Sequence, residues 1–270
     1  MVLYIDTLFI WRLDMKVVIL AGGFGTRISE ESAIRPKPMI TIGEQPILWH
    51  IMKYYSSYGF DDFIICLGYK QYMIKEYFAN YFLHTSDVCF DLSDNKMEVL
   101  NHSGENWKVT LVDTGLNTMT GGRIKRIKDY IDGDTFMLTY GDGLCDVDIN
   151  KELEFHKNHG KLLTLTTVSL ANSKGVLDID KDGTVNAFRE KSIDDSALIN
   201  GGYMICNKKV IDYINGDNTA FEKEPFARIV ADGEMVGFRH NGFWQCMDTQ
   251  REMKYLIELW NGGSAPWKRW

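Results

Sequence analysis

Residues 15–39 read MKVVILAGGFGTRISEESAIRPKPM, and the interpretation of the whole chain starts from this stretch. Residues 17–21 are apolar and mostly β-branched, which is typical of a short buried strand in a parallel sheet. Gly22, Gly23 and Gly25 follow directly. Glycine has no Cβ atom and tolerates positive φ, so successive N–H groups in such a turn can point inward around an anion. The stretch therefore predicts a strand that ends in a phosphate-binding loop.

Two basic residues accompany this loop. Arg27 carries a planar fork of donors that suits two phosphate oxygens. Lys37 adds a point charge between Pro36 and Pro38, whose rings fix the backbone on either side. Two cations beside an anion cradle indicate that the ligand is a polyphosphate. A glycine-rich turn that binds nothing is the alternative, and the two cations argue against it.

The loop does not match the two commonest phosphate-binding motifs. No segment of the chain fits G-x-x-x-x-G-K-[ST], which disfavours kinases and GTPases of the P-loop type. A dinucleotide-binding fingerprint requires G-x-G-x-x-G, and Ile28 stands where the third glycine would follow Gly23 and Gly25. The site is therefore of another kind.

Two aspartates follow predicted strands later in the chain. Asp142 comes after an apolar strand over residues 136–140, and Asp248 comes after residues 243–247, the last part of a strand over residues 238–247 that is predicted to return to the sheet. Ligands of open α/β sheets bind at the carboxyl ends of the strands, so both carboxylates can reach one triphosphate there. Mg²⁺ that is bound to phosphates takes one or two protein carboxylates. The alternative for Asp142 is a plain turn, because Gly143 follows it and Asp-Gly is a common turn signal.

The loop resembles the signature of the sugar-1-phosphate nucleotidyltransferases, through LAGGFGTR at 20–27 and PKPM at 36–39. Four later segments resemble the branch of that family that transfers a cytidylyl group from CTP to glucose 1-phosphate. They are WH at 49–50, TGGR at 120–123, YGDG at 140–143 and FWQCMDT at 243–249. The resemblance runs from residue 15 to the C-terminus. It implies an α/β, Rossmann-like and GT-A-like fold, with a mostly parallel mixed sheet flanked by helices.

The resemblance also implies the roles of individual residues. The nucleotide site would comprise Leu20, Ala21, Gly22, Gly23, Phe24, Gly25, Thr26, Arg27, Lys37, Thr118, Arg123 and Gly141. The sugar-phosphate site would comprise Glu190, Lys191, Asn200 and Gly201. Asp142 and Asp248 would hold Mg²⁺ and, with Arg27 and Lys37, form the catalytic set. Without the resemblance, Glu190 and Lys191 fit a surface ion pair, and TGGR fits a helix capped by Thr120 with Arg123 in solvent.

The implied reaction joins CTP and α-D-glucose 1-phosphate into CDP-glucose and pyrophosphate, for CDP-linked dideoxysugar and lipopolysaccharide biosynthesis. UTP or dTTP as the nucleotide, and a nucleotide-sugar sensor without turnover, are alternatives, since the choice of base rests on the resemblance alone. A glycosyltransferase is a third alternative, because Asp146 and Asp148 imitate the D-x-D metal motif. Asp148 directly precedes the helical stretch 149–159, however, and is more simply explained as an N-cap.

The composition narrows the partners and the compartment. The 270 residues include 30 Lys and Arg against 37 Asp and Glu, and this net charge of −7 argues against a nucleic-acid partner. No apolar run approaches the roughly 18 residues that a membrane span needs, so no membrane association is expected. The five cysteines are an odd number without a C-x-x-C pair, which disfavours disulfides and zinc and favours the cytoplasm.

The remaining pattern predicts one domain over residues 15–270. A helix over 47–58, a strand over 63–68 and a helix over 71–82 continue the β-α-β order of a parallel sheet. Residues 85–114 predict a β insertion, made of a hairpin and a further strand over 107–112, whose surplus apolar residues predict a homo-oligomer. Residues 1–14 are interpreted as an extension outside the core, with a peripheral strand or a partner-binding helix as alternatives.

Overall fold

The computed structural model describes residues 15–101, 104–169, 176–179, 185–189 and 198–270. The expectations for residues 1–14 and for Glu190 and Lys191 lie outside these ranges. The described strands, in chain order, are β1 Val17–Leu20, β2 Thr41–Ile42, β3 Gln45–Pro46, β4 Asp62–Leu67, β5 Val88–Asp91, β6 Lys96–Val99, β7 Lys108–Asp113, β8 Thr135–Tyr140, β9 Gly143–Cys145, β10 Leu163–Ser169, β11 Val176–Ile179, β12 Val185–Arg189, β13 Leu198–Asn207, β14 Met235–His240 and β15 Trp244–Cys246.

The described helices alternate with these strands through much of the chain. The α-helices are α1 Ser29–Ser32, α2 Ile47–Ser56, α3 Gln71–Ala79, α4 Tyr81–Thr85, α5 Thr120–Arg126, α6 Ile149–His159, α7 Glu224–Ala231 and α8 Gln250–Asn261. Short 3-10 helices lie at Thr26–Ile28, Lys37–Met39, Lys128–Tyr130 and Lys208–Tyr213. None of the helices in these ranges combines the length and the apolar character that a membrane span requires.

The main sheet has seven strands in the order β14-β10-β13-β8-β1-β4-β7. β1 pairs in parallel with β4 and with β8, and β4 pairs in parallel with β7. β13 runs antiparallel to both of its neighbours, whereas β10 and β14 are parallel to each other. The predicted mostly parallel mixed sheet with helices on its faces is confirmed.

The first strand, β1, lies inside the sheet between β8 and β4, and both of its faces are covered. Val17 and Ile19 pack into one apolar cluster together with residues of α2. Val18 and Leu20 point to the other face and pack into a second cluster with residues of α5. Successive side chains of a strand alternate between the two faces, so a continuous apolar run is what a doubly covered strand requires. The loop that follows β1 therefore starts from a rigid position.

Two predicted strands pair with other partners than the sequence suggested. The strand predicted as the last part of the insertion, β7, is the edge of the main sheet and pairs with β4, so the surplus part of the insertion is the β5–β6 hairpin. The apolar segment after residue 238 was expected to be one strand of the main sheet. It is interrupted after His240, where the backbone N–H of Phe243 turns to donate to the Asp146 carboxylate at 2.7 Å, and its second part, β15, pairs with β9 instead.

Candidate active site

Every predicted site residue that the structure describes lines one cavity of about 770 Å³ at the carboxyl end of β1. These residues are Leu20, Ala21, Gly22, Gly23, Phe24, Gly25, Thr26, Arg27, Lys37, Thr118, Arg123, Gly141, Asp142, Asn200, Gly201 and Asp248. They come from segments that lie far apart in the chain, and the sheet brings them together because parallel strands end at the same edge.

Two positions of the glycine loop require glycine, each for a different reason. Gly25 has φ of +65°, a conformation that favours glycine, and its carbonyl accepts a hydrogen bond from the Ser32 hydroxyl at 2.8 Å. Gly22 is needed for another reason, since a Cβ atom there would lie 2.1 Å from an Arg123 nitrogen. A Cβ atom on Gly23 would meet nothing within 4 Å. Gly22 therefore makes room for Arg123, and its contact with a ligand stays a prediction.

Four charged side chains, Arg27, Lys37, Asp142 and Asp248, form what we call the charged cluster. Lys37 Nζ lies 2.6 Å from an oxygen of Asp142 and 2.6 Å from an oxygen of Asp248. Arg27 Nη1 lies 2.5 Å from the other oxygen of Asp248. The Lys37 side chain is only 9% exposed, whereas that of Arg27 is 75% exposed. The buried lysine is therefore the centre of the cluster, and the arginine lies at its rim.

Two members of the cluster, Lys37 and Asp248, have shifted pKa values that favour their charged forms. Burial by itself would lower the pKa of the Lys37 ammonium, but the charge and hydrogen bond of Asp142 and the hydrogen bond of Asp248 outweigh it and raise the pKa. Burial likewise opposes ionisation of Asp248, yet the hydrogen bond and the charge of Lys37 hold the pKa of this carboxyl below its ordinary range. Lys37 and Asp248 therefore stabilise one another in their charged forms.

Strand pairing fixes the two aspartates relative to each other. β9 begins at Gly143, directly after Asp142, and pairs antiparallel with β15, so that Gly143 lies opposite Cys246. The backbone N–H of Met247 donates to the Asp142 carbonyl at 2.8 Å. Asp248 then leads into α8, which Thr249 caps. This small sheet, outside the main one, is what places both carboxylates at the same point.

The donor atoms at this point suit a hard divalent cation. Ligand atoms of Asp142, Cys246 and Asp248 lie within 4.8 Å of one another. Carboxylate oxygens are the protein ligands that Mg²⁺ prefers, and the Lys37 ammonium already holds a positive charge between them. Burial, together with the nearby Asp142 carboxylate, raises the pKa of the Cys246 thiol well above its ordinary range, so the thiol stays protonated. Asp142 and Asp248 fit a divalent metal, and Cys246 does not add a ligand.

Arg123 lines the cavity but uses its guanidinium on the protein itself. It is buried, and Nη1 donates to the Leu67 carbonyl at 2.9 Å, to the Thr114 hydroxyl at 2.8 Å and to the Gly115 carbonyl at 2.8 Å. Nη2 donates to the carbonyls of Gly22 at 3.0 Å and Leu116 at 3.2 Å. We call Arg123 and these five oxygens the arginine hub. It joins the loops that follow β1, β4 and β7.

The hub bears on both interpretations of Arg123. A side chain in solvent is wrong, because Arg123 is only 4% exposed. A place for Arg123 in the nucleotide site stays a prediction, and in the structure described Nη1 and Nη2 both donate to protein oxygens. The side chain holds the glycine loop in place, which makes it a positioning residue.

Several cavity residues were missing from the predicted site, and three of them, Thr120, Tyr140 and Glu222, are bonded to one another. Glu222 accepts hydrogen bonds from the hydroxyls of Thr120 and Tyr140, each at 2.6 Å, and all three line the cavity. Thr120 is not the N-cap that the sequence suggested, since the cap position is Met119 and the Thr120 hydroxyl accepts from the Phe221 N–H instead. Glu222 stands beside Lys223 and Glu224 and has the appearance of an ordinary surface residue, so the sequence carries no signal for it.

Asn200 and Gly201, which were expected near the sugar, line another wall of the cavity. The Asn200 side chain accepts a hydrogen bond from the Gly202 N–H at 2.7 Å, and the Gly201 carbonyl accepts one from Trp244 Nε1 at 2.6 Å. Gly202 has φ of +81°, and a Cβ atom there would lie 2.7 Å from the Tyr140 ring. This wall is therefore held in shape by close packing of Tyr140 on glycine.

Asp146 and Asp148, the two aspartates of the D-x-D pattern, have other roles in the structure. The Asp148 side chain accepts from the Lys151 N–H at 3.1 Å and caps α6, as predicted. Asp146 Oδ1 lies 2.8 Å from His240 Nε2 and accepts from the Phe243 N–H. Neither aspartate lines the cavity described above, which removes the structural basis for a D-x-D glycosyltransferase.

The fold and the charged cluster describe a nucleotidyltransferase. Residues 16–249 match the sequence profile of the Nucleotidyl transferase family, and the chain belongs to that family. The glucose-1-phosphate cytidylyltransferase of Salmonella typhimurium is 55% identical over 257 residues, which are 95% of this chain and 100% of the relative. The probable glucose-1-phosphate cytidylyltransferase of Bacillus subtilis is 43% identical over the same shares of the two chains. The resemblance seen in the sequence is confirmed.

Solved structures agree with this assignment. The crystal structure of HddC from Yersinia pseudotuberculosis is 28% identical and superposes with a TM-score of 0.67, over 91% of this chain and 99% of that chain. A second structure of HddC is described as a complex with GMP-PN. The glucose-1-phosphate thymidylyltransferase structure from Bacillus anthracis, described as putative, is 16% identical with a TM-score of 0.62 and supports the fold alone.

Proposed function

We propose that this protein transfers a cytidylyl group from CTP to α-D-glucose 1-phosphate and releases pyrophosphate. The observation that carries the proposal is the charged cluster, in which two cations and two carboxylates meet beside the glycine loop. A metal-assisted reaction between a triphosphate and a sugar phosphate requires this combination, with cations for the phosphates and carboxylates for the metal. The identity of 55% over 95% of the chain to a glucose-1-phosphate cytidylyltransferase supports CTP and glucose 1-phosphate as the substrates.

The cavity is large enough for two substrates at once. Ligand pockets commonly measure about 300–1,000 Å³, and this cavity, of about 770 Å³, lies in the upper part of that range. The glycine loop and the charged cluster form one side of it, and Asn200, Gly201 and Tyr140 form another. We assign the first side to the triphosphate and the second to the sugar, with Glu190 as the proposed partner of the sugar hydroxyls and Lys191 as the proposed partner of the sugar phosphate.

The chemistry needs no general base, because the attacking group is already an anionic phosphate oxygen. That oxygen forms a bond to the α-phosphorus of CTP while the bond from the α-phosphorus to the bridging oxygen breaks, and pyrophosphate leaves with the electron pair. The protein's task is to hold two anions in line and to stabilise the charge that develops. Arg27 and Lys37 supply positive charge for this, and the backbone N–H groups of the glycine loop supply donors.

Asp142 and Asp248 are the residues that would hold the metal, which we propose to be Mg²⁺. When bound, Mg²⁺ neutralises phosphate charge and fixes the orientation of the triphosphate. Two carboxylates are sufficient, because Mg²⁺ completes its octahedral shell with phosphate oxygens and water.

The test is a nucleotide comparison. The protein is incubated with glucose 1-phosphate, Mg²⁺ and one of CTP, UTP, dTTP, ATP or GTP, and pyrophosphate release is measured. We expect release with CTP to exceed release with every other nucleotide by at least about tenfold, since a base that leaves buried polar groups unpaired is strongly rejected. Preference for UTP or dTTP would reassign the base. Nucleotide binding without pyrophosphate from any of them would indicate a sensor.

The proposal extends to assembly and compartment. The β5–β6 hairpin exposes large apolar side chains, with Phe90 56% and Leu92 89% exposed, and such surfaces commonly pair with another copy. We propose a homo-oligomer that contacts through this hairpin, and light scattering at micromolar concentration should report a mass above 31.0 kDa. A monomer would contradict it. All five cysteines are free thiols, which supports the cytoplasm as the compartment.

A further inference from the structure

Lys37 stands in an unexpected relation to the proposed metal ligands. The sequence assigns Lys37 to phosphate and Asp142 and Asp248 to the metal, yet the three side chains are bonded to one another. We propose that Lys37 makes the metal site specific for a metal–nucleotide complex and against the free metal ion. This inference rests on the proposed function, because the nucleotide is the group that draws Lys37 away.

The first step of the argument is steric. The ammonium nitrogen lies 2.6 Å from an oxygen of each carboxylate, directly between them. A Mg²⁺ ion held by the same two oxygens would lie about 2.0–2.1 Å from each. The ion and the ammonium group would then occupy the same space and would also repel each other electrostatically. A metal bound by both aspartates therefore requires the ammonium to move out.

The second step concerns where the ammonium can go. Lys37 is buried, and a buried ammonium without an anionic partner is strongly unfavourable. The glycine loop is adjacent, since a Cβ atom on Gly25 would lie 3.2 Å from the Lys37 Cβ. Phosphate held by that loop lies within reach of the lysine side chain. The triphosphate thus provides the new anionic partner that a free metal ion lacks.

Arg27 can make the same exchange from the rim of the cluster. It pairs with the Asp248 oxygen that Lys37 leaves free, and its side chain is largely exposed. When a metal–triphosphate complex enters, the carboxylates exchange two protein cations for the metal, and those cations pair with phosphate. Before and after the exchange, each of these charges therefore has a partner of opposite sign.

A fixed role for the ion pairs predicts the opposite result. If Lys37 only held the aspartates in a metal-binding geometry, its removal would weaken metal binding. If Lys37 competes with the metal, its removal strengthens metal binding in the absence of nucleotide. The two accounts therefore differ in the sign of the change.

The experiment titrates Mn²⁺, a paramagnetic substitute for Mg²⁺, into the full-length protein without nucleotide and follows free Mn²⁺ by electron paramagnetic resonance. We expect Lys37→Met to bind Mn²⁺ at least about tenfold more tightly than the wild type, since a competing charge is removed. Lys53→Met is the matched control, because Lys53 is also a partly buried lysine, paired with Glu105. It should leave Mn²⁺ affinity unchanged, and Lys37→Met/Asp248→Asn should lose the gain.

Unchanged or weaker Mn²⁺ binding by Lys37→Met overturns the inference. If that variant is unfolded by circular dichroism, Lys37→Gln, which keeps a polar side chain of similar length, takes its place under the same criteria. The pyrophosphate assay on the wild type tests the proposed function separately. Failure of that assay removes the nucleotide reaction, whereas failure of the Mn²⁺ titration removes only the competition by Lys37.

Discussion

The charged cluster and the arginine hub are two ways of holding a buried cation beside the same cavity. Lys37 is bonded to two carboxylates, whereas the hub's guanidinium is bonded to four carbonyls and one hydroxyl. An ion pair can exchange one partner for another of the same charge. A guanidinium that holds backbone carbonyls of three loops cannot leave without disrupting those loops. The difference separates a cation that can act on substrate from one that maintains the shape of the site.

The two regions also differ in the charge that they leave in the cavity. The acceptors of the hub carry no net charge, so the positive charge of Arg123 remains available to attract anions at longer range. Burial lowers the pKa of this guanidinium, but arginine stays protonated under all ordinary conditions. The charged cluster, by contrast, contains two cations and two carboxylates and is neutral overall. Under the proposed exchange, the hub would attract anions to the cavity and the cluster would then bind them.

The largest effect should come from the carboxylates of the charged cluster. We expect Asp142→Asn and Asp248→Asn each to lower turnover with CTP and Mg²⁺ by about 10²–10³-fold, because each removes charge that holds the metal. The double variant should lose little more, since the two side chains act as a unit. Steady-state pyrophosphate release at several Mg²⁺ concentrations measures this. If Asp248→Asn keeps the wild-type Mg²⁺ dependence while Asp142→Asn abolishes it, the shared site is wrong.

The next effect should separate the hub from the cluster. Arg123→Lys keeps the charge but replaces a planar fork with one ammonium group, which cannot reach five oxygens on three loops. We expect the free energy of unfolding to fall by about 3 kcal/mol, because buried carbonyls lose charge-assisted hydrogen bonds. Urea unfolding measures it. Arg126→Lys, on the exposed side of the same helix, is the control and should unfold like the wild type. Equal stability of Arg123→Lys and Arg126→Lys would mean that the hub is not structural.

A buried acidic residue, Glu152, provides a test that depends on pH. Glu152 is fully buried on α6 and accepts a hydrogen bond from Thr166 at 2.5 Å, and burial raises its pKa from 4.5 to about 7. The protonated form is therefore favoured in the folded state, and stability falls as pH rises from about 4.5 to 7. We expect the wild type to lose about 2–3 kcal/mol more than Glu152→Gln between pH 5 and pH 8.

Urea unfolding of both proteins at the two pH values measures this difference. His50 and His156 contribute an opposite slope, because burial lowers the pKa of each to about 4 and their stabilisation is lost as pH falls below about 6.5. Both histidines are present in both proteins, so their contribution cancels in the comparison. Parallel pH profiles for the wild type and the variant would mean that Glu152 is ionised in the folded protein.

The sequence predicted the fold and the charged cluster for a common physical reason. Apolar runs that end in glycine or Asp-Gly indicate parallel strands and their carboxyl ends, and a charged residue at that point has few structural roles. Arg27, Lys37 and Asp142 all carry this local signal. The hub carries none, because a buried arginine and an exposed one look alike until their partners are known. Its acceptors are mainly backbone carbonyls, which have no sequence identity.

Pairings between short segments could not be predicted from the sequence either. β15 was expected in the main sheet because residues 238–247 were predicted as one strand, although residues 239–242 are polar or glycine. Its position is decided instead by β9, a three-residue strand with no pattern of its own, and by the turn at Asp146. Glu222 was missed for the same reason, since its partners Thr120 and Tyr140 lie on other elements.

The smallest effect should come from Cys246, which lies beside the charged cluster but is not one of its four residues. Its sulfur is close to the ligand oxygens of Asp142 and Asp248, so proximity alone would make it a third metal ligand. Two arguments oppose that. Sulfur is a poor ligand for Mg²⁺, which prefers oxygen. Burial and the neighbouring carboxylates also keep the thiol protonated, whereas a coordinating cysteine must be a thiolate.

We therefore expect Cys246→Ser to change turnover with Mg²⁺ by less than about threefold, since serine keeps the hydrogen-bonding group and nearly the same volume. Cys246→Ala, which loses the contact with Asp248, is the matched comparison and separates the hydrogen bond from metal binding. Pyrophosphate release with Mg²⁺ and with Cd²⁺ measures both. A thiolate ligand would reveal itself through the softer metal: if Cd²⁺ supports turnover in the wild type and Cys246→Ser abolishes that activity alone, the sulfur is a ligand, and the charged cluster must be redefined to include it.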